Sequence, residues 1–239
     1  MGSRAREGSS VAEAVAPLTR IGAVGSKYRV IFGQGVGGLA LHPWTAEVVN
    51  RWSHDPRLSH VEFFMPTPPT RSVSMKGGEE MPAWFNLEKG PAEGPAWVVN
   101  REHLEWAKNV YIELAHLEDG EIKTTVFSGF SNGGAVALYA GVQGECAGVL
   151  SLSGVMVAGE YLVDEDLMAS ESKPILLCYG NEDPIVPPAD ADDCRAFLQR
   201  KTPCDVELKM FDRKVHGCTD AEANAGADWL ARVLMPASE

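Results

Sequence analysis

The stretch TTVFSGFSNGGAVAL, residues 124 to 138, places Ser131 between Gly129 and Gly133. In this G-x-S-x-G spacing, a serine can act as a nucleophile where a strand runs into it and a helix leaves from it. The two glycines lack a Cβ, so the sharp turn can close and the helix can approach the sheet. The pattern indicates either a catalytic nucleophile or a small residue in a tight turn.

A serine nucleophile needs a base, and in strand-turn-helix hydrolases the partners follow in the order Ser, acid, His. Of the six histidines, only His216 lies after Ser131. It follows an apolar run and precedes the last helical pattern, so a loop could bring it over the serine. Alone, His216 is equally compatible with a solvated loop; together with Ser131 it is predicted to be the base.

The best candidate for the acid is Asp183 in ILLCYGNEDPIVP, which follows an apolar run and lies in a loop with Gly and Pro. Its predicted role is to orient His216 and to stabilise the imidazolium form. The alternative is an ordinary turn residue before Pro184. Other aspartates lie in acidic, helix-like stretches that indicate solvent exposure: Asp164, Asp166, Asp190, Asp192 and Asp193.

A competing signal is Gly33-x-Gly35-x-x-Gly38, which follows a strand-like run and matches the dinucleotide-binding fingerprint. That fingerprint also requires an acid at the end of the second strand, whereas Glu62 stands at the start of VEFFMP. In a hydrolase, the N–H groups of such a loop can instead point at an oxyanion. The hydrolase interpretation is therefore favoured.

The elements that must hold these residues follow from the spacing of apolar residues. Apolar, β-prone runs occupy residues 28–32, 61–65, 124–130, 147–152, 174–179 and 206–211. Apolar residues at helical spacing occupy residues 45–52, 102–117, 132–140, 189–199 and 218–234. Apolar strands alternating with helices predict an α/β fold with a mostly parallel central sheet and helices on both faces.

The chain is predicted to form one domain. Its 239 residues are 45% hydrophobic, enough to bury a large core. Residues 1–26 are predicted to be a mobile N-terminal leader, and residues 27–239 to be the domain. Within it, residues 66–95 are rich in Pro, Gly and Met with little periodicity, which predicts a lid-like excursion of functional importance.

Composition excludes several partners. The formal net charge of -12 disfavours nucleic acid, because affinity for phosphate comes largely from Lys and Arg. The five cysteines follow no CxxC spacing, and no apolar run reaches the roughly eighteen residues of a membrane span. The protein is therefore expected to be cytoplasmic and to have free thiols. The predicted chemistry needs no cofactor or metal.

An ordered series of segments resembles the acyl-protein thioesterases of the phospholipase/carboxylesterase family of α/β hydrolases: VIFGQGVGG, HVEFFMPTPP, MPAWFN, FSGFSNGGAVALY, VLSLSG, PILLCYGNEDPIVP and FDRKVHG. The resemblance implies an α/β-hydrolase fold in which Ser131 is the nucleophile, Asp183 the acid and His216 the base. It assigns the oxyanion hole to the N–H groups of Val36 and Asn132.

The chain departs from the family pattern at three positions of this region. Gln34 replaces His, Gly38 replaces Asp, and Asn132 replaces Gln. These changes leave the triad intact but predict a less rigid oxyanion loop.

The resemblance also implies an acyl channel beneath the loop at residues 66–85. Its candidate wall residues are Met75, Met81, Trp84, Phe85, Val155, Met156 and Leu162. Flexible Met and flat aromatic side chains suit an acyl chain. For each of them, ordinary core packing is the competing interpretation.

The implied activity is hydrolysis of S-acyl thioesters on proteins, including depalmitoylation, with lysophospholipids as further substrates. The expected partners are S-acylated proteins or acyl lipids, with transient contact at a membrane surface. The alternatives are a small-ester carboxylesterase and a catalytically weak hydrolase fold that binds lipid or a protein partner. The sequence makes no prediction of the oligomeric state.

Overall fold

The computed structural model describes residues 17–38, 43–91, 97–159, 162, 167 and 171–235. The strands are β1 Leu18–Gly22, β2 Arg29–Gly33, β3 Glu62–Pro66, β4 Thr70–Val73, β5 Glu79–Pro82, β6 Leu87–Lys89, β7 Trp97–Val99, β8 Thr125–Phe130, β9 Gly148–Leu152, β10 Pro174–Gly180 and β11 Asp205–Phe211. The α-helices are α1 Pro43–Ser53, α2 Arg101–Ala115, α3 Asn132–Gln143, α4 Pro188–Lys201 and α5 Asp220–Val233.

Seven of these strands form one sheet in the order β1-β3-β2-β8-β9-β10-β11. All neighbours are parallel except β1, which runs antiparallel to β3. The prediction of a mostly parallel sheet is confirmed. Because β2, β8, β10 and β11 are parallel, the loops that follow them emerge at one edge of the sheet.

Burial explains why the central strands are almost entirely apolar. Every residue of β2, β3, β8 and β9 is buried, which requires cover on both faces of the sheet. On one face Ile31 packs in a cluster with residues of α2, α3 and α4. On the other, Val30 and Phe32 pack with residues of α1 and α5. The alternation along β2 thus separates the two halves of the core.

The predicted boundary of the N-terminal leader is wrong. Residues 18–22 form β1, which pairs with β3 in register from Leu18 opposite Pro66 to Gly22 opposite Glu62. The Arg20 guanidinium also lies 2.7 Å from the Glu62 carboxylate. Polar and apolar residues alternate too little along this short strand for the sequence to predict it. The domain therefore includes residues 17–26, and the rest of the predicted leader lies outside the described residues.

The predicted excursion at residues 66–95 has more regular structure than its composition indicates. Strands β4 and β5 form one antiparallel ribbon, and β6 and β7 form a second. A short 3-10 turn, Ser74–Lys76, joins the first two, with Gly77 in the left-handed region at φ 68°. Residues 92–96 lie outside the described residues. The first ribbon follows β3, which runs parallel to β8, so it leaves the same edge of the sheet as the loop that carries Ser131.

Candidate active site

Ser131 stands in the sharp turn between β8 and α3, with φ 52° and ψ -113°. This conformation is rare for a residue with a Cβ, and its cost is of order 1 to 3 kcal/mol. The neighbouring glycines make the turn possible, since a Cβ on Gly133 would collide with the Gly33 carbonyl. The Ser131 N–H donates to the Leu152 carbonyl at 2.8 Å, which ties the turn to β9. This geometry is that of a nucleophile elbow.

His216 and Asp183 are brought together from loops that are 33 residues apart. His216 Nδ1 lies 2.9 Å from Asp183 Oδ2 and 3.2 Å from Oδ1. The other ring nitrogen, Nε2, is buried and has no hydrogen-bond partner in the part of the chain that the structure describes. His216 and Ser131 line the same cavity. Nε2 is thus available to the serine, and a hydrogen bond between them is expected to form when substrate binds.

Asp183 is held as a carboxylate by its surroundings. Oδ1 accepts hydrogen bonds from the N–H groups of Ile185 at 2.9 Å and Val186 at 3.1 Å. Burial by itself raises the pKa of this carboxyl, but the bonds from His216, Val186 and Ile185 outweigh it and hold the pKa well below its usual range. The charged form persists at neutral pH, as the acid of a triad requires.

Arg213, Ser153 and Glu222 form a polar network with Asp183, and none of the three was predicted. Arg213 Nη1 donates to Asp183 Oδ2 at 2.9 Å, and Nη2 donates to Ser153 Oγ at 2.7 Å. Glu222 pairs with the same guanidinium. Sequence reasoning missed them because Arg213 stands in the charged stretch FDRKVHG, where an arginine is normally solvated.

The predicted oxyanion donors lie on either side of the nucleophile. Asn132 is the first residue of α3, where a backbone N–H has no partner within the helix. Val36 follows β2 and lines the cavity with Ser131. Among the described residues, the Val36 N–H donates to no other group, whereas those of Gly37 and Gly38 are engaged. Both N–H groups are free to bind an oxyanion.

Backbone hydrogen bonds join the oxyanion loop to neighbouring segments, and its predicted lower rigidity stays a prediction. The Gln34 carbonyl accepts from Gly133 N–H and from Trp84 Nε1, both at 3.1 Å. The Gly37 N–H donates to the Pro82 carbonyl at 2.8 Å. A Cβ on Gly38 would lie 2.9 Å from Gln34 Cβ, so glycine allows this fold of the loop. Contacts with the elbow and the first ribbon therefore organise the loop.

The Asn132 side chain connects the elbow to the excursion. Oδ1 accepts from the Trp84 N–H at 2.8 Å, and Nδ2 donates to the Phe85 carbonyl at 3.3 Å. Both bonds are buried. Sequence reasoning assigned only the N–H of Asn132, because a side-chain bond across 48 residues leaves no local pattern.

A cavity of about 690 Å³, counted with its part open to solvent, begins at Ser131. Its lining is mostly apolar, with a wall formed by Phe85, Leu87, Trp97, Val155, Val157 and Ile185. Such a wall can hold a hydrocarbon chain next to the nucleophile.

The seven predicted wall residues divide into three groups. Met75, Phe85 and Val155 line this cavity. Met156 and Leu162 line a neighbouring cavity, which also touches Trp97 and Val155. Trp84 and Met81 are not among the residues that line either cavity.

The placement of Trp84 corrects its predicted role. Its side chain is fully buried, stacked on Trp106 at 6.3 Å and edge-on to Tyr111 at 5.8 Å between ring centroids. Trp84 therefore packs in the core beneath the excursion. This is the alternative that the sequence left open for each predicted wall residue. Trp97, Val157 and Ile185 do line the cavity but were not predicted, since nothing local distinguishes them from other core residues.

Membrane-spanning and metal-binding roles have no support in the described residues. Among the described residues, no helix is long and apolar enough to cross a membrane. In the same part of the chain, no cluster of three or more His, Cys, Asp or Glu side chains is arranged to hold a metal ion.

The fold and the site around Ser131 are those of a serine hydrolase, and comparison with known proteins identifies its family. The family model described as phospholipase/carboxylesterase matches residues 22–233, so the chain belongs to this family. The resemblance drawn from the sequence is confirmed. The match favours the hydrolase interpretation of the Gly33–Gly38 loop over the dinucleotide-binding one.

Within that family, the chain is similar to several acyl-protein thioesterases. Acyl-protein thioesterase 1 of Gibberella zeae is 28% identical over 231 residues, covering 93% of this chain and 97% of that protein. Its counterpart in Schizosaccharomyces pombe is 28% identical and covers 84% of this chain and 86% of that protein. The crystal structure of Zea mays acyl-protein thioesterase 2 has a TM-score of 0.77 at 22% identity, covering 91% of this chain and 98% of that one.

Proposed function

We propose that this protein is a serine hydrolase that cleaves S-acyl thioesters on proteins. The observation that carries the proposal is the apolar cavity that starts at Ser131 and is bounded by Phe85, Trp97 and Val155. The names of the similar fungal proteins support the same substrate class. Lysophospholipids carry a fatty acyl chain on an oxyester carbonyl, which the same serine can attack, and they are proposed as further substrates.

The first half of the reaction forms an acyl-enzyme. His216 Nε2 takes the proton from Ser131 Oγ, which attacks the thioester carbonyl carbon. The resulting oxyanion is stabilised by the N–H groups of Val36 and Asn132. Asp183 stabilises the imidazolium, and the cysteine sulfur then leaves with the proton from His216.

The second half releases the fatty acid. His216 takes a proton from water, and the hydroxide attacks the acyl-enzyme carbonyl at the same oxyanion hole. The proton returns to Ser131 Oγ as the ester bond breaks. The sum is thioester plus water giving carboxylic acid plus thiol, so no redox partner or cofactor is required.

A small-ester carboxylesterase is the second candidate function. Trp97 and Val155 line both cavities, so they form a wall between the serine cavity and its neighbour. If this wall stays closed, the acyl chain must end there, which favours short chains.

We further propose a cytoplasmic location with transient contact at membrane surfaces. All five cysteines are free, as suits thiols kept reduced. Lys76 lines the cavity, and Val215 beside His216 is 65% exposed. Lys76 would contact anionic lipid headgroups, and Val215 would contact the apolar part of the membrane that carries the acylated substrate.

The test is kcat/KM for a peptide S-acyl thioester series from C2 to C16, with the matching nitrophenyl oxyesters. A rise with chain length, on thioesters at least as strongly as on oxyesters, supports the thioesterase. A flat or falling thioester series identifies a small-ester carboxylesterase. Absence of turnover, with no labelling of Ser131 by a fluorophosphonate, would leave a binding module.

A further inference from the structure

Arg213 is a buried arginine against the acid of the triad. Its side chain is 1% exposed. Nη1 donates to Asp183 Oδ2 and to the Val215 carbonyl, while Nη2 donates to Ser153 Oγ and to Glu222 Oε1. One guanidinium thus contacts Asp183 and the residue before His216 at the same time.

The structure provides a fitted space for this guanidinium. Gly180 ends β10, and a Cβ there would lie 2.8 Å from Arg213 Cζ. The Arg213 backbone N–H donates to Asn181 Oδ1 at 3.1 Å, and the Glu182 N–H donates to the Arg213 carbonyl at 3.1 Å. The loops that carry Asp183 and His216 are therefore joined to each other through Arg213.

Glu222 offsets the charge of Arg213. Its carboxylate is fully buried and lies 3.1 Å from Arg213 Nε. Its Oε2 also accepts from the Thr219 N–H at 2.8 Å, within the capping box of α5. Asp183 is shared with His216, so without Glu222 the charge of the buried guanidinium would be less fully compensated.

Stability alone is a weak reason for such a pair, because apolar side chains of similar volume often replace buried ion pairs without loss. The contacts point instead to the site. Arg213 Nη1 and His216 Nδ1 bind the same oxygen, Asp183 Oδ2, each at 2.9 Å. Any movement of the guanidinium would therefore change how Asp183 holds His216.

We propose that Arg213 is a positioning residue for the triad, which fixes the Asp183 carboxylate and the His216 loop, and that Glu222 keeps its charge from weakening the base. This rests on the proposed function only in that Ser131 must be activated by His216. The acyl substrate itself does not enter the proposal.

The charges that face this network come from several elements. One loop carries Asp183 and Glu182, the other carries Lys214, and α5 carries Glu222. Glu182 and Lys214 are exposed and lie 3.5 Å apart. The Cys218 thiol, with its pKa raised by burial and by Glu222, stands before α5. Asp183 and Glu222 are both buried anions that pair directly with the guanidinium, and of the two only Glu222 does not contact His216.

Two variants separate charge from geometry. Glu222→Gln retains the capping box, which accepts Gln, but leaves Asp183 as the carboxylate that opposes the Arg213 charge, so the network gains one net positive charge. Arg213→Lys keeps the charge but replaces the planar fork by a single ammonium, which cannot make all four bonds. Asp220→Asn is the matched control, since it removes a carboxylate from the same helical turn where it is exposed and paired with Arg51.

The readouts are kcat, KM and the acid limb of the pH–rate profile on a nitrophenyl acetate ester. Arg213→Lys should lower kcat by about 10- to 100-fold with KM within about twofold, because misplacement of the base acts on the reacting geometry. Glu222→Gln should move the acid limb to lower pH by on the order of one unit, because the loss of one buried negative charge near His216 disfavours the protonated imidazole. Asp220→Asn should change neither.

Wild-type kcat in Arg213→Lys, or an acid limb in Glu222→Gln that matches Asp220→Asn, would overturn the proposal. If Glu222→Gln does not fold, the double variant Arg213→Gln with Glu222→Gln replaces it. That variant should lose kcat as Arg213→Lys does, and unchanged kcat overturns the proposal.

The proposed substrate can fail separately. If wild type cleaves the acetate ester but no S-acyl thioester, the thioesterase proposal falls while the Arg213 test stands. If no ester is cleaved, the pH dependence of fluorophosphonate labelling of Ser131 gives the same comparison among variants.

Discussion

The two sides of Ser131 are built from different forces. On one side, Asp183, Arg213 and Glu222 form a buried charged network whose members are held by directional hydrogen bonds. On the other, Phe85 and Val155 belong to an apolar wall that packs against the core. The charged side depends on the presence and geometry of individual atoms, whereas the apolar side depends on shape and area.

The difference predicts how each side responds to change. Removing one partner from a buried charged network leaves the others unpaired, and the loss is large and abrupt. Removing a methylene from an apolar wall costs a fraction of the binding energy, in proportion to the area lost. Substitutions on the two sides should therefore differ in size and in their dependence on the substrate.

The largest effect should come from the nucleophile. Ser131→Ala should lower kcat by about 10⁴ to 10⁶, and adding His216→Ala should cost little more, because triad members act as a unit. The measurement is kcat for both variants on one ester, with Ser172→Ala, an exposed serine, as control. Full labelling of the Ser131→Ala protein by a fluorophosphonate would contradict the assignment.

Asp183→Asn should come next, with kcat reduced by about 10⁴. The pKa of Asp183 is lowered in the folded protein, so its carboxylate stabilises the fold above pH of about 4, the unfolded value. That contribution is lost as the pH falls from there towards the folded pKa. The Tm difference from wild type should be full at neutral pH and should shrink in acid; a constant difference would argue against it.

Asn132→Ala tests the link between the two sides. The variant keeps the backbone N–H of the oxyanion hole but leaves the Trp84 N–H and the Phe85 carbonyl unpaired. We expect a stability loss of about 1 to 3 kcal/mol for each group, and a loss in kcat/KM on the order of tenfold. Unfolding and kinetics give the two values. Asn132→Gln, which restores an amide, should recover part of both.

The smallest effects should come from the apolar wall. Each buried methylene of the acyl chain should raise kcat/KM by up to about fourfold until the cavity is full. Phe85→Ala should reduce this slope more than it reduces acetyl ester cleavage. Trp84→Ala, a change in the core, should lower stability by about 3 to 5 kcal/mol and leave the slope unchanged. If Trp84→Ala reduced the slope and Phe85→Ala did not, Trp84 would be a wall residue of the acyl site.

The same contrast explains which parts were predictable. The six runs predicted as strands and the five predicted helices all occur, with ends shifted by a few residues at most. The elbow was predictable because glycines and a serine at fixed spacing are required by one tight turn. Strand β1 was missed because its pairing with β3, and not its own pattern, makes it a strand.

By itself, the sequence determined the parallel sheet, the Ser131 turn and the order in which Asp183 and His216 follow it. These features depend on apolar periodicity and on local backbone requirements, which neighbouring residues express. Only the tertiary structure decided that Arg213 is buried on Asp183, that Trp84 packs in the core, and that Trp97 lines the cavity. A side chain's role there depends on what distant segments place around it, and no local pattern encodes those contacts.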